Sequence, residues 1–469
     1  MITKFFKRIL RRDPMVKHSQ VNHSSAPKRI PKKTHRIDPH LLSKNAVKVT
    51  DTLQQAGYEA FIVGGAVRDL VLGIRPKDFD VATNATPDQV QKLFRKARLI
   101  GRRFQIVHVT FFGKGHPEII EVSTFRALLD NAGDHVAESG RILRDNVWGS
   151  QNEDAARRDF SINAMYYDPS SETVLDYHGG MADIQKKTLR IIGDPAKRYR
   201  EDPIRMLRAI RFSAKTEFTL EAATRAPIAQ LSTLLQDVPS ARLFDEILKL
   251  LMSGYSWAGI QGLRDAGLHH GLLPLLDPIL ENEKGSKEAN QFVKLALANT
   301  DQRIQSGKSV SAGFLFATLL WPDLLKNWNA NLSKGMPNIP ALQDAMDETI
   351  ATQSSGMTIQ RRFESDMREI WSMQPRFEKR VGRYPYRLIE SPRFRAGYDF
   401  LLLRCAAGEK EATLGQWWTD FIAADPAGQS ALMTNVKNEA GTAPINSKRR
   451  RRRKAKSSAT QAPAAGEAS

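Results

Sequence analysis

The chain has 469 residues, 41% of them hydrophobic, and carries 70 Lys and Arg against 51 Asp and Glu, a formal net charge of +19. Its single cysteine, Cys405, excludes a disulfide framework and a cysteine-built zinc site, and suits a reducing, cytoplasmic setting. No apolar stretch is long enough for a membrane-spanning helix, so the excess positive charge points to an anionic partner, nucleic acid first.

That charge is uneven. Residues 1–40 hold 11 Lys/Arg and 2 Asp/Glu, and residues 447–469 hold 8 Lys/Arg and 1 Glu. Residues 41–446 hold 51 basic and 48 acidic side chains and are nearly balanced. Both ends are poor in large apolar residues and read as basic disordered arms. Within the first, Ile2, Phe5, Phe6, Ile9 and Leu10 recur at helical spacing among Lys4, Lys7, Arg8, Arg11 and Arg12. This predicts a short basic amphipathic helix suited to a weak contact with an anionic membrane surface. Charge interrupts its apolar run and no small-residue cleavage site follows, unlike a secretory signal.

Residues 41–55 follow as a helix with Leu42, Ala46, Val49 and Leu53 on one face. A short strand over 60–63 ends in Gly64-Gly65, and helix returns over 66–72. Residues 77–81 form a second strand. Thr86-Pro87-Asp88-Gln89 supplies a cap, a first-turn proline and a capping-box glutamine, so a helix is expected to run to about residue 96. Strands follow over 105–111 and 118–125. Helix and strand alternate to about residue 167; beyond Pro195 the pattern is helical, most clearly over 200–216, 241–252, 258–266 and 395–405. There is no internal repeat.

Asp78 and Asp80 are one residue apart on the expected strand, so their carboxylates share a face. Two like charges that close favour a divalent cation between them. A bare Asp-x-Asp is more often a solvated pair. Here a Gly64-Gly65 turn opens a helix upstream, where backbone N–H groups can cradle a phosphate, and Arg68 lies one turn further on. A nucleoside triphosphate with Mg²⁺ accounts for all three features. Glu121, on the apolar run Ile119-Ile120-Glu121-Val122, is either a further metal-facing acid or a solvent-facing strand residue. Asp159 follows Arg157-Arg158 and is either a site carboxylate or a structural ion pair. Arg126 lies just past the Glu121 strand and offers a guanidinium to phosphate. In Glu201-Asp202-Pro203-Ile204-Arg205-Met206-Leu207-Arg208, acids are expected in a helix's first turn, with Asp202 and Arg205 as neighbours. They form either a capping salt bridge or a donor–acceptor pair for a nucleobase edge. Trp417-Trp418 reads as buried core.

Gly64-Gly65 with Arg68-Asp69, Asp78-Phe79-Asp80, Arg157-Arg158-Asp159-Phe160 with Asn163-Ala164, and Glu201-Asp202 with Arg205 resemble the class II tRNA nucleotidyltransferase and bacterial poly(A) polymerase family over roughly residues 41–250. The resemblance implies an α+β chain, with a DNA polymerase β-like nucleotidyltransferase head of mixed α/β structure and an all-helical neck, body and tail. The expected segments are an arm at 1–40, a head at 41–167, a neck with base-recognition helices at 168–252, a helical RNA-binding body at 253–446 and a tail at 447–469. Residues 99–109 and 393–404, with the Arg-rich tail, are similar to the polyadenylating branch; residues 280–391 match no segment of the family.

The implied activity is template-independent addition of AMP from ATP to RNA 3′ ends, with pyrophosphate released in a two-metal reaction. CCA addition to tRNA is the alternative activity, and a non-catalytic RNA-binding protein the third. By motif, Asp78 and Asp80 would bind Mg²⁺, and either Asp159 or Glu121 would complete the catalytic carboxylates. Gly64, Gly65, Arg68, Arg126, Arg158, Asp202, Arg205 and Arg208 form the nucleotide-binding set. The implied partners are mRNA and other transcripts, ATP and RNA-decay proteins.

Overall fold

The computed structural model describes residues 26–101, 105–113, 117–127, 147–270 and 287–442. They fall into two compact units, one within 1–250 and 258–269, the other within 251–257 and 270–469. The amphipathic segment expected at the N-terminus and the basic tail at 447–469 lie outside the described residues.

The first unit is built on an eight-stranded sheet: β1 (Lys28–Pro31), β2 (Ala60–Val63), β3 (Asp80–Thr83), β4 (Ala97–Ile100), β5 (Ile106–Phe111), β6 (Glu118–Thr124), β7 (Met165–Asp168) and β8 (Thr173–Asp176). Their order is β1-β8-β7-β2-β3-β6-β5-β4. β3 and β6 are parallel, and the other neighbours are antiparallel. The helices Lys44–Gln55 and Pro87–Leu93 pack on one face, as the buried alternation of Ile62, Val81, Val107, Val109, Ile120 and Val122 requires. On the other face Ala155, from the helix Gln151–Arg157, packs with Val63, Ala82, Tyr166 and Leu175.

The structure departs from the sequence expectations at several places, among them the neck, where Thr188–Leu189 pairs in parallel with Thr219–Leu220. Residues 28–40 of the arm expected over 1–40 are folded: in β1 Ile30 alone turns inward while its charged neighbours and Pro31 stay at an exposed edge. His35 anchors the next turn, with Nε2 donating to the Glu172 carbonyl and Nδ1 accepting from the Ile37 N–H. The head's sheet runs past residue 167, since β7 and β8 form a hairpin whose turn is tied by Asp168 to Ser170 and Ser171. β3 starts at Asp80 rather than residue 77, because its partner β2 leaves the sheet at Gly64 and the last register pair is Val63–Asp80. The helix expected to reach residue 96 ends at Leu93, and Phe94 adopts extended geometry before the exposed strand β4. The helix expected over 200–216 is two, Pro195–Glu201 and Ile204–Thr216. They break at Asp202 (φ −149, ψ 95), whose position before Pro203 disfavours helical geometry.

The second unit is helical throughout its described residues, from Lys287–Gln305 to Pro426–Thr442. Phe377, Leu401, Trp418 and Phe421 form the centre of one core cluster, and Trp417 stacks on Phe421, so the tryptophan pair is buried as expected. Arg404 is buried over the Trp321 ring, and its Nε donates to Glu409 at 3.0 Å. Among the described residues no helix is long and apolar enough to cross a membrane.

Candidate active site

The strand β2 ends where Gly64 takes φ 72, ψ −133, a conformation open to glycine alone. A side chain there would also stand 3.3 Å from Nη1 of Arg158. The helix Gly65–Val71 follows and carries Arg68 into the interior. Its Nε donates to Asp69 at 2.8 Å and its Nη1 to the Asn163 side chain at 2.7 Å. Both partners lie in the motifs that mark the site, and together they hold one orientation of the guanidinium.

Asp80 heads β3, with Asp78 in the bend before it and buried Phe79 between them, so both carboxylates remain open on one side. In register, Asp80 neighbours Glu121 of β6, and Glu121 neighbours His108 of β5. Desolvation pushes the Asp80 carboxyl up to about 6; the charges of Glu121 and Asp78 add to this, and Arg158 opposes it. His108 Nε2 lies 3.4 Å from Glu121. Crowded carboxylates of this kind fit a cation, which would relieve their repulsion. Among the described residues no three His, Cys, Asp or Glu side chains form a ready-made cage. Two carboxylates suit Mg²⁺, which commonly completes its shell with substrate phosphates and water.

A basic wall faces these acids. Arg158 bonds Asp154 at 3.0 Å and the Tyr166 hydroxyl at 3.2 Å, and Tyr166 donates to the same carboxylate at 2.7 Å. Burial opposes ionisation of Asp154, but Arg158 and Tyr166 outweigh it and hold the carboxyl low. Arg198 donates to the carbonyls of Arg157 and Arg158 at 2.6 and 2.8 Å, fixing the backbone there. Asp159 meets Arg208, whose Nε donates at 2.8 Å, and also accepts from the Phe160 N–H at 2.8 Å. Burial would raise its pKa; Arg208 and these hydrogen bonds instead bring it down to about 2.

The helix Ile204–Thr216 places Arg205, Arg208, Arg211 and Lys215 along one stripe. The ring of Phe212 lies under three guanidinium groups, 5.2 Å from Arg68, 5.2 Å from Arg208 and 4.2 Å from Arg211. Arg211 pairs with Glu246, and Lys215 stands 3.6 Å from Asp69. The side chains of Asp202 and Arg205 are not paired with each other; the Arg205 N–H donates to the Asp202 carbonyl at 3.0 Å. Asp202 Oδ2 accepts from Arg242 at 3.0 Å, and Arg205 donates to Glu201 and to the Arg198 carbonyl. Asp202 Oδ1 is buried with no hydrogen-bond partner among the described residues.

These elements enclose a cavity of about 530 Å³. Of the expected residues, Gly64, Gly65, Arg68, Asp78, Asp80, Arg158, Asp159, Asp202, Arg205 and Arg208 line it. Glu121 lies beside Asp80 in the sheet, outside the lining. Arg126, also outside it, is buried past β6 with its backbone N–H on Asp154. Lys77, Arg211, Phe212 and Lys215 line the cavity without having been expected. The spacing of Arg205, Arg208, Arg211 and Lys215 was the available signal, a basic stripe at helical period. Carboxylates open at one end and guanidinium groups at the other suit a polyanion that carries a cation.

A family model described as the poly A polymerase head domain matches residues 60–190. One described as a probable RNA and SrmB binding site of polymerase A matches 217–280, and one for the polymerase A arginine-rich C-terminus matches 334–456. The last overturns, for residues 334–391, the expectation that 280–391 lacks a family counterpart. Poly(A) polymerase I of Salmonella typhi is 43% identical over 418 residues, covering 87% of this chain and 89% of that protein. The Haemophilus influenzae protein of that name is 42% identical over 397 residues, covering 82% and 86%. A CCA-adding enzyme of Levilactobacillus brevis is 32% identical over 280 residues, covering 60% and 66%. A solved tRNA-processing enzyme with CTP superposes with a TM-score of 0.54 at 20% identity, covering 83% of this chain and 98% of that one; this shows a shared fold. With its glycine turn, paired aspartates and arginine wall in one cavity, and with this likeness along nearly its whole length, the chain belongs to the poly(A) polymerase family.

Proposed function

We propose that the chain adds AMP from ATP to RNA 3′ ends without a template and releases pyrophosphate. The observation that carries the reading is the reach of the similarity: 43% identity over 87% of the chain to a poly(A) polymerase, against 32% over 60% for the CCA-adding relative. The cavity supports the same chemistry.

Mg²⁺ held by Asp78 and Asp80 would supply positive charge that acidifies the RNA 3′-hydroxyl and steadies the leaving pyrophosphate. The chain's own residues do the rest. Arg158 and Arg208 are locked by Asp154 and Asp159, so their charge is positioned before the triphosphate arrives and needs little reorganisation as charge develops. The Gly64 turn lets a phosphate approach the backbone. Asp202, whose Oδ1 accepts no hydrogen bond among the described residues, and Arg205 line the same cavity, and an acceptor with a donor matches a base with an amino group next to a ring nitrogen, as in adenine and cytosine. Guanine and uracil present a carbonyl there and are rejected.

The RNA substrates are mRNA and other transcripts, held through backbone charge by the basic ends of the chain, with RNA-decay proteins as further partners. The lone cysteine suits a reducing, cytoplasmic setting, and the segment over residues 2–10 suits a weak membrane-surface contact. Asp80→Asn tests the metal assignment: AMP incorporation is abolished while RNA binding persists. Retained incorporation would sink it.

A further inference from the structure

The face of the sheet that carries Asp80 is covered by Gln151–Arg157 on the β7–β2–β3 side and, among the described residues, is open over β6, β5 and β4. Across it runs one register row: Asp80, Glu121, His108 and Arg98 are successive neighbours on β3, β6, β5 and β4. Side chains in one row share a face. Flanking this row, Ile119 is 45% and Ile100 37% exposed, and Phe112 is 67% exposed with Lys96 Nζ 4.2 Å over its ring. Exposed apolar surface of this kind, interleaved with cations and beginning at the site carboxylates, is unlike an ordinary solvated sheet face.

Its direction follows from the chemistry. Displacement at phosphorus sets the attacking and leaving oxygens roughly in line on opposite sides. The groups suited to the leaving pyrophosphate, Gly64 at the end of β2 and Arg158 bonded to Tyr166 of β7, lie on the β2 side of Asp80. The attacking hydroxyl therefore arrives from the β6 side. We propose that the open face of β6, β5 and β4 is the track for the last nucleotides of the RNA. The terminal ribose lies beside Glu121 and His108, Arg98 meets a backbone phosphate upstream, and Phe112 stacks on a base. His108 Nε2 stands 3.4 Å from Glu121 in that row. The inference rests on the polyadenylation reading for its direction and on the exposed cation–aromatic pair for its ligand.

The test uses the full chain, a fluorescent oligo(A) about ten nucleotides long and the variants Arg98→Ala, Arg98→Lys and Phe112→Ala. Arg98→Ala weakens RNA binding about fivefold and lowers the salt slope by about 0.7, the value for a single-stranded phosphate that is no longer neutralised. Arg98→Lys keeps most of the affinity. Phe112→Ala raises KM for RNA and leaves KM for ATP within about twofold, and a 4-thiouridine next to the 3′ end crosslinks to the peptide containing Phe112. RNA affinity and KM unchanged in both alanine variants, at unchanged Tm, would overturn the track and leave the face to a protein partner. Wild-type chain that extends no RNA with any nucleotide would instead overturn the polyadenylation reading, while the binding and crosslinking results still decide where RNA lies.

Discussion

Asp159 and Arg208, 49 residues apart, meet in an ion pair in which Arg208 Nε donates at 2.8 Å and the carboxylate is nine-tenths buried. With its other oxygen on the Phe160 N–H, Asp159 has little capacity left for a cation and acts on Arg208. Glu121 is half-exposed and next to Asp80, and under the proposed function it would be the acid that acts on the reacting hydroxyl. We therefore expect Glu121→Gln to lower kcat with KM for ATP nearly unchanged, and Asp159→Asn to raise KM for ATP about tenfold. Steady-state kinetics separates them.

The same pair sets an acid limit on stability. The folded pKa of Asp159, about 2, lies below its ordinary value of 3.8, so ionisation favours the folded state. That contribution, about 2 kcal/mol by linkage, is complete above about pH 5 and is lost as pH falls through about 2. Melting curves between pH 2 and 7 should show Asp159→Asn less stable than wild type at neutral pH, with the gap closing on acidification. A gap independent of pH would contradict the ion-pair account.

Gly64→Ala places a β-carbon at φ 72 and 3.3 Å from Arg158. The backbone strain is of order 1–3 kcal/mol. Activity at limiting ATP should fall at least about tenfold, through the displaced guanidinium, with a lowered Tm. Unchanged activity would mean that Arg158 does not serve the triphosphate.

Asp202→Ala removes the unpartnered acceptor at Oδ1 and leaves Arg242 without its carboxylate. Discrimination of ATP over UTP and GTP should fall about tenfold, since removing a polar partner at a base edge acts on the ratio of kcat/KM values. Competition between nucleotides in one reaction measures that ratio.

Removing residues 447–469 deletes 8 basic side chains and 1 acidic one. RNA affinity and the steepness of its salt dependence should drop more than single-turnover adenylation. An equal loss in both would refute the separation of tethering from chemistry.

The site was more legible in the sequence than the fold's boundaries. Gly64, Asp78, Asp80 and Asp159 lie in short motifs whose chemistry depends on local spacing, and the cavity gathers them. Which partner each acid takes depended on distant segments: Asp202 turned to Arg242 because Pro203 breaks the helix that would have set it beside Arg205. Arg126 read as a phosphate ligand from its place just past the Glu121 strand; it is buried there and lies outside the cavity lining. The edge strands β1 and β4 gave almost no apolar alternation, each being held mainly by backbone pairing, and so were invisible to periodicity.

The most direct test of polyadenylation at this cavity is product length from one short RNA incubated with Mg²⁺ and each nucleotide in turn, then with CTP and ATP together. Long ladders with ATP alone, absent in Asp80→Asn, are the predicted result. Products that stop after C, C and A, or no extension at all, would contradict it.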